Sequence, residues 1–290
     1  MHSPEGTRYR ATVHYDGSAF AGWQVQPQVR TVQGEIEAAL RRLTIEGRLL
    51  GAGRTDAGVH AAGQEMSFDA PPNWNSDRLA RALDSLLPAD IWIETLREAA
   101  ADFHPRFQAT GRRYEYYLAP GRTGRVPYRR RGTAWISEKP DLEVLRASVR
   151  PILGRHVFER FSKSGQPEVD TVCTVEKAEW MVTPLGDLRF TIVADRFLHR
   201  MVRYLVATMI EQSVGVRPPD DMRRLLEETG DVRPPAPAQA CGLYLTGVRY
   251  LEGWNRPPGV PGLWPVPACA GPASPEGATP PSERDRIEAT

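Results

Sequence analysis

Along the first hundred residues the apolar positions alternate between two periods. Tyr9 to Tyr15 is rich in aromatic and β-branched residues and predicts a strand, closed by the turn residues Asp16-Gly17-Ser18. Thr31 predicts a helix N-cap, with Val32, Ile36, Ala39, Leu40 and Leu43 at helical spacing behind it. Leu49 and Leu50 lead into a glycine-rich loop, and Glu65 to Phe68 predicts a short strand after it. Asn75 or Ser76 caps a second helix with Leu79, Ala82, Leu83, Leu86 and Leu87 on its apolar stripe, and Pro88 stops it. Ile91 to Leu96 predicts another strand. Strand, helix, strand, strand, helix, strand is the order of a ferredoxin-like unit. Such a unit carries its helices on one face of an antiparallel sheet and leaves the other face free to bind.

The second half repeats that order loosely. Arg112 to Leu118 and Ala134 to Ile136 predict strands, with an arginine-rich loop from Pro120 to Gly132 between them. Leu142 to Leu153 predicts a helix ended by Gly154. Val172–Val182 and Leu188–Val193 predict two strands joined by a turn at Thr183 to Asp187. The clearest helical period runs from Phe197 to Gln212, followed by a short helix over Asp220 to Glu228 and a last strand over Leu243 to Leu251. The expected fold is α+β: two ferredoxin-like (RRM-like) subdomains, residues 1–105 and 106–252, whose antiparallel sheets join around a central cleft. Residues 253–290 predict an irregular tail, because nine of the 36 residues from Asn255 onward are proline and little apolar surface is available to bury.

Composition narrows the class without naming a function. Hydrophobic residues make up 41% and charged residues 25%, as in an ordinary globular protein. No apolar run approaches a membrane span, and the N-terminus has no signal-like core. Three widely spaced cysteines, 173, 241 and 269, suggest neither a zinc site nor a disulfide framework. The expected location is the cytoplasm. Net charge is only +1, but eight arginines and a single acid, Glu115, lie between His104 and Arg131. Such a local excess attracts phosphates even in a near-neutral chain. Only three lysines occur in the whole sequence, so arginine is also simply the default cation here.

The candidate chemistry centres on residues 51–62, where three glycines and four alanines surround Arg54, Asp56 and His60. Small residues leave clearance for a flat ligand. Asp56 is the one carboxylate in the loop, and a nearby guanidinium keeps a carboxylate ionised. Read alone, the same loop is also compatible with a turn bearing surface charges, and a lone His60 is more often structural than catalytic. Tyr114 follows two arginines on a predicted strand and is either a packing residue or a platform on which a base stacks. Arg203 lies off the apolar stripe of the strongest helix, either a solvated surface charge or available to pair with a carboxylate.

Taken together, these segments resemble the tRNA pseudouridine synthase A family. Gly53-Arg54-Thr55-Asp56-Ala57-Gly58-Val59-His60-Ala61 is similar to its catalytic signature. Tyr15-Asp16-Gly17, Phe20 to Gln26, Thr31-Val32-Gln33, Leu83 to Asp90, Phe103 to Phe107, Arg112 to Tyr116, Phe197 to Arg203 and Gly242 to Leu245 follow in the family's order. The resemblance implies that Asp56 is the catalytic aspartate acting on a uridine flipped out of the tRNA anticodon stem-loop, at tRNA positions 38, 39 and 40. The glycosidic C–N bond is broken, the uracil turns while held, and C5 is joined to the ribose. Attack on the base, attack on the sugar and removal of a 2′ proton are all open to the aspartate. By the same resemblance Tyr114 stacks on the target base and assists proton transfer, Arg203 pairs with Asp56, Arg54 helps to flip the base, and Leu245 lines the uracil pocket. It implies a homodimer, no cofactor, no metal and no membrane. Val157 departs from the pattern by standing where the family commonly has an aspartate. A non-catalytic tRNA-binding protein of the same fold is the alternative, and a glycosidic hydrolase would want a second carboxylate that the signature lacks.

Overall fold

Alternation along the first strand decides what lies on each side of the sheet. A computed structural model of the chain describes residues 6–162, 170–227 and 230–256. In β1 (Thr7–Tyr15), Tyr9, Ala11, Val13 and Tyr15 enter the main core, while Arg10, Thr12 and His14 point to the opposite face. The caps read from the sequence are in place. Thr31 accepts the Gly34 N–H at the start of α1 (Val32–Arg42), which buries Val32, Ile36, Ala39 and Leu40. After β2 (Leu50–Gly51) and β3 (His60–Ala70), Asn75 accepts the Arg78 N–H at the start of α2 (Ser76–Leu86). β4 (Ile91–Glu98) completes the unit, and the strands lie in the order β4-β1-β3-β2.

The second half contains β5 (Gly111–Pro120), β6 (Ala134–Ile136), α3 (Leu142–Ser148), β7 (Gly154–Val157), β8 (Val172–Val182) and β9 (Leu188–Ala194). It ends with α4 (Met201–Ser213), α5 (Asp221–Leu226), β10 (Leu243–Tyr250) and β11 (Gly253–Trp254). Its strands run β10-β5-β9-β8, the same relative order as in the first half, with β7 added at the edge. Mixed α+β architecture with a mostly antiparallel sheet is therefore what the chain adopts, as its patterning predicts.

One junction is parallel. β10 pairs with β3 through Tyr244 opposite His60 and Leu245 opposite Ala61, and this seam makes a single sheet of the two halves. Gly63 permits the close approach, since a Cβ there would lie 2.8 Å from the Thr246 carbonyl oxygen. Cross-strand partners share a face. Ala61, Leu245, Tyr114, Ile192 and Ala178 thus form one row across the sheet, and Leu243, Tyr116, Phe190 and Trp180 form the next. Both rows belong to the main core, and Trp180 Nε1 donates to Met209 Sδ of α4 at 3.3 Å.

The opposite face is not free. Arg10 ion-pairs with Glu65 and Glu252 and lies over the rings of Phe103 (4.7 Å) and Tyr250 (4.1 Å). Arg113 lies over Trp254 at 5.0 Å and donates to the Thr246 and Arg256 carbonyls. Residues 99–109 and 248–256 therefore cover this side, and the candidate site belongs to the helix-bearing face. From residue 257 on, the proline-rich stretch lies outside the described residues.

Three local differences have physical causes. α3 stops at Ser148 and a 3₁₀ turn over Arg150–Ile152 follows, because Pro151 lacks an N–H and cannot sit inside a helix. α4 begins at Met201, not Phe197, because Arg200 takes left-handed φ of 64° and breaks the period. β3 extends well beyond Glu65–Phe68, since β1 and β10 hold the weak strand formers His60 to Gly63 from both sides.

Candidate active site

The catalytic-type loop between β2 and β3 is held by backbone contacts more than by its own side chains. Thr55 Oγ1 bonds the buried Tyr15 hydroxyl at 2.8 Å, and the Thr55 carbonyl accepts the Trp23 N–H at 3.1 Å. Gly22, at φ 103°, comes so close that a Cβ would meet the Thr55 oxygen at 2.7 Å. The Val59 N–H closes a turn onto the Asp56 carbonyl at 3.1 Å. The Tyr15-Asp16-Gly17 and Phe20 to Gln26 segments thus act as the bed on which this loop rests.

On that bed Asp56 points towards the start of α4. Arg203 Nη1 donates to Asp56 Oδ2 at 3.1 Å, and His199 Nε2 stands 3.3 Å from Asp56 Oδ1. Arg203 is itself oriented, because its Nε donates to the Ala238 carbonyl at 2.7 Å. The side chains of Asp56 and Arg203 are 15% and 13% exposed, against 53% for His199, so the first two are shielded and the third stands at the rim.

Tyr114 sits in β5 opposite Leu245 and Ile192, edge-on to Phe197 with ring centroids 5.0 Å apart. Burial, and then the negative charge of Asp56, push its hydroxyl well above the ordinary tyrosine range. It stays protonated and can act as a hydrogen-bond donor. Leu245 is fully buried between Ala61 and Tyr114, forming the floor beneath the site. Arg54 is exposed and makes no hydrogen bond or ion pair among the described residues. Asp56, Arg203 and Tyr114 are therefore brought together, Leu245 underlies them, and Arg54 stands outside.

His60 has a structural place. Its buried ring stacks on Tyr244 at 4.6 Å, and its Nδ1 faces the Gly17 N–H (3.1 Å) and Asp16 Oδ1 (3.3 Å). Burial works against the charge of Asp16, yet the nearby His60 ring and hydrogen bonds from Ser18 hold its carboxyl below the usual carboxylate range.

The arginine cluster divides. The Arg112 guanidinium donates to the carbonyls of Asp195 (2.8 Å), Arg106 (2.9 Å), Ala52 (3.2 Å) and Ala109 (3.3 Å), tying three segments together at the edge of the site. Burial lowers its pKa. Arg113 is internal, Arg129 pairs with Asp187, and Arg131 pairs with Asp16 at 2.7 Å. Arg106, Arg122, Arg125 and Arg130 remain on the surface. His199 and Arg112 are the site residues that sequence reasoning leaves without a role. Both lie in the quoted motifs, but nothing in their spacing shows what they touch.

Val157, the departure from the family pattern, is 41% exposed at the end of β7. A groove of about 850 Å³ lined by Arg160, Tyr204 and Gly230 to Pro237 runs beside α4 and includes neither Asp56 nor Tyr114. Among the described residues, no cluster of three or more His, Cys, Asp or Glu is placed to hold a metal ion, and no helix is long and apolar enough to cross a membrane.

A carboxylate held by a shielded arginine, over an aromatic and aliphatic floor, can receive a planar heterocycle and act on it. The chain is similar to known proteins of one family. The chain is 40% identical over 248 residues to tRNA pseudouridine synthase A of Lacticaseibacillus casei, covering 84% of this chain and 100% of that one. It is 39% identical to the protein of that name from Latilactobacillus sakei (84% and 98% covered) and 41% identical to that of Chlorobaculum tepidum (82% and 96%). An archaeal box H/ACA sRNP Nop10–Cbf5 complex aligns at TM-score 0.33 and 12% identity over 71% of this chain and 44% of that one, too distant to carry an argument. Residues 11–108 and 149–251, which hold Asp56, Tyr114's neighbouring strands β9 and β10, and Arg203, match the tRNA pseudouridine synthase family, and the chain belongs to it.

Proposed function

We propose that the chain isomerises uridines of the tRNA anticodon stem-loop, at positions 38, 39 and 40, with Asp56 as the catalytic carboxylate. The observation that carries the assignment is the Arg203–Asp56 ion pair at 3.1 Å between residues 147 apart in sequence. Arg203 orients the carboxylate at the seam. Tyr114 stacks against the flipped uracil and donates from its protonated hydroxyl, over the floor formed by Leu245. Arg54, unpaired and two residues from Asp56, enters the space that the flipped base vacates. The exposed Arg106, Arg122, Arg125 and Arg130 meet tRNA phosphates. The protein works in the cytoplasm as a homodimer bridged by its tRNA, and the chemistry calls on no cofactor or metal.

Tritium release from tRNA carrying 5-³H-uridine measures the reaction directly, and mapping pseudouridine in the product identifies the positions. Asp56→Asn should abolish release while tRNA binding stays within about threefold of wild type, because the amide keeps the shape and loses the charge. Full release by Asp56→Asn, or modification confined to uridines outside the anticodon arm, would refute the proposal.

A further inference from the structure

Each oxygen of Asp56 has its own partner. Oδ2 faces Arg203, which is mostly shielded and anchored a second time on the Ala238 carbonyl. Oδ1 faces His199 Nε2 at 3.3 Å, and His199 makes no other polar contact with a described residue. His199 and Arg203 lie on either side of the left-handed Arg200 (φ 64°), His199 just ahead of the first helical residue Met201, and both reach Asp56. They straddle the carboxylate.

A carboxylate gripped through one oxygen can still swing about its terminal torsion, which is broad for Asp. A second donor on the other oxygen fixes the plane. An ionised carboxylate has about four lone-pair sites, so Oδ1 can accept from His199 and still offer a lone pair to the nucleotide. Groups held in the reactive geometry before the substrate arrives contribute to rate, not to affinity.

We propose that His199 is a positioning residue that acts through Asp56, fixing the plane of its carboxylate from the solvent side as Arg203 does from the inside. This rests on Asp56 being the catalytic group. At 3.3 Å the approach is held by a proton on Nε2, present in both the Nε2–H tautomer and the imidazolium. Glutamine places an amide nitrogen near the position of Nε2 and is the conservative replacement; alanine removes the donor, and phenylalanine keeps the ring without it.

The test is single-turnover tritium release at saturating tRNA, with tRNA binding measured in parallel, for His199→Ala, His199→Phe and His199→Gln. The Ala and Phe variants should lose about tenfold in rate with binding within about twofold of wild type, and Gln should recover to within about threefold. Because His199 lies half exposed at the rim, melting temperatures should stay at the wild-type value, which separates a positioning loss from misfolding. A full rate for His199→Ala overturns the proposal. So does a rate loss matched by an equal loss of tRNA affinity, which would make His199 an RNA contact, and so does failure of Gln to rescue. Asp56→Asn run alongside keeps the two readings apart: if it stays active, the catalytic assignment of Asp56 fails whatever the His199 variants do.

Discussion

Gly17→Ala should damage the Asp56 loop without touching Asp56, Tyr114 or Arg203. Gly17 lies in the 3₁₀ turn that follows β1, and its N–H donates to His60 Nδ1. A Cβ on Gly17 would stand 2.5 Å from the Val59 carbonyl carbon and closer still to its oxygen. Carbon atoms in contact prefer about 3.5 Å, so either the turn or the loop must retreat by about 1 Å. Neither can do so freely. Val59 is bonded to Asp56, and Gly58 N–H to the Phe20 carbonyl. Overpacking of this kind costs about 1–3 kcal/mol. For a chain of this size that is a fall of roughly 2–5 °C in melting temperature. Activity should suffer more, since a displacement of about 1 Å at a reacting group costs up to about 100-fold. Thermal melting and single-turnover tritium release check both effects. Gly53→Ala is the internal control for stability, because a Cβ there meets nothing within 4 Å, and it should keep the wild-type melting temperature. Wild-type stability and rate in Gly17→Ala, or equal destabilisation by Gly53→Ala, would refute the packing argument.

The face opposite the site offers two further tests. Glu65→Gln leaves the buried Arg10 with only the exposed Glu252 as a charged partner, and urea unfolding should show a loss of about 3 kcal/mol, near the lower end for a broken buried pair. Burial pushes the His14 pKa below the ordinary histidine value, against the opposing effect of Glu94 at 3.0 Å. A depressed value means that the unfolded chain takes the proton first as pH falls, so the His14 contribution is complete above the ordinary histidine range and is lost on acidification through it. Stability should therefore drop between about pH 7 and pH 5 by denaturant titration, and His14→Gln should flatten that part of the curve. The loss from Asp16, whose carboxyl is held below the carboxylate range, falls at lower pH, while His104, also lowered by burial, titrates in this window and is left unchanged by His14→Gln.

Much of the architecture was legible before any coordinates. Hydrophobic period, the caps Thr31 and Asn75, and the turn residues after Tyr15 each depend on neighbours within a few positions, and those elements formed where the pattern put them. The βαββαβ order appeared twice for the same reason. Asp56 stood out because a lone carboxylate among glycines and alanines is a local feature. What the pattern missed was decided over distance. A strand over His60 to Gly63 has poor local propensity and exists because β1 and β10 flank it. The first turn of the longest predicted helix gave way to the left-handed Arg200, which period alone does not reveal. Side-chain alternation also cannot say which sheet face a loop or terminus covers, and here residues 248–256 close the face expected to be free.

The sequence by itself determined the elements, their repeated order and the residue types able to do chemistry. Only the tertiary structure decided that β10 runs parallel to β3, and so that Asp56, Tyr114, Arg203 and His199 meet at one seam. The physical reason is that strand pairing is made by backbone hydrogen bonds, which carry no side-chain signature, and its register is set by the summed packing of rows such as Ala61, Leu245, Tyr114 and Ile192 drawn from the whole chain.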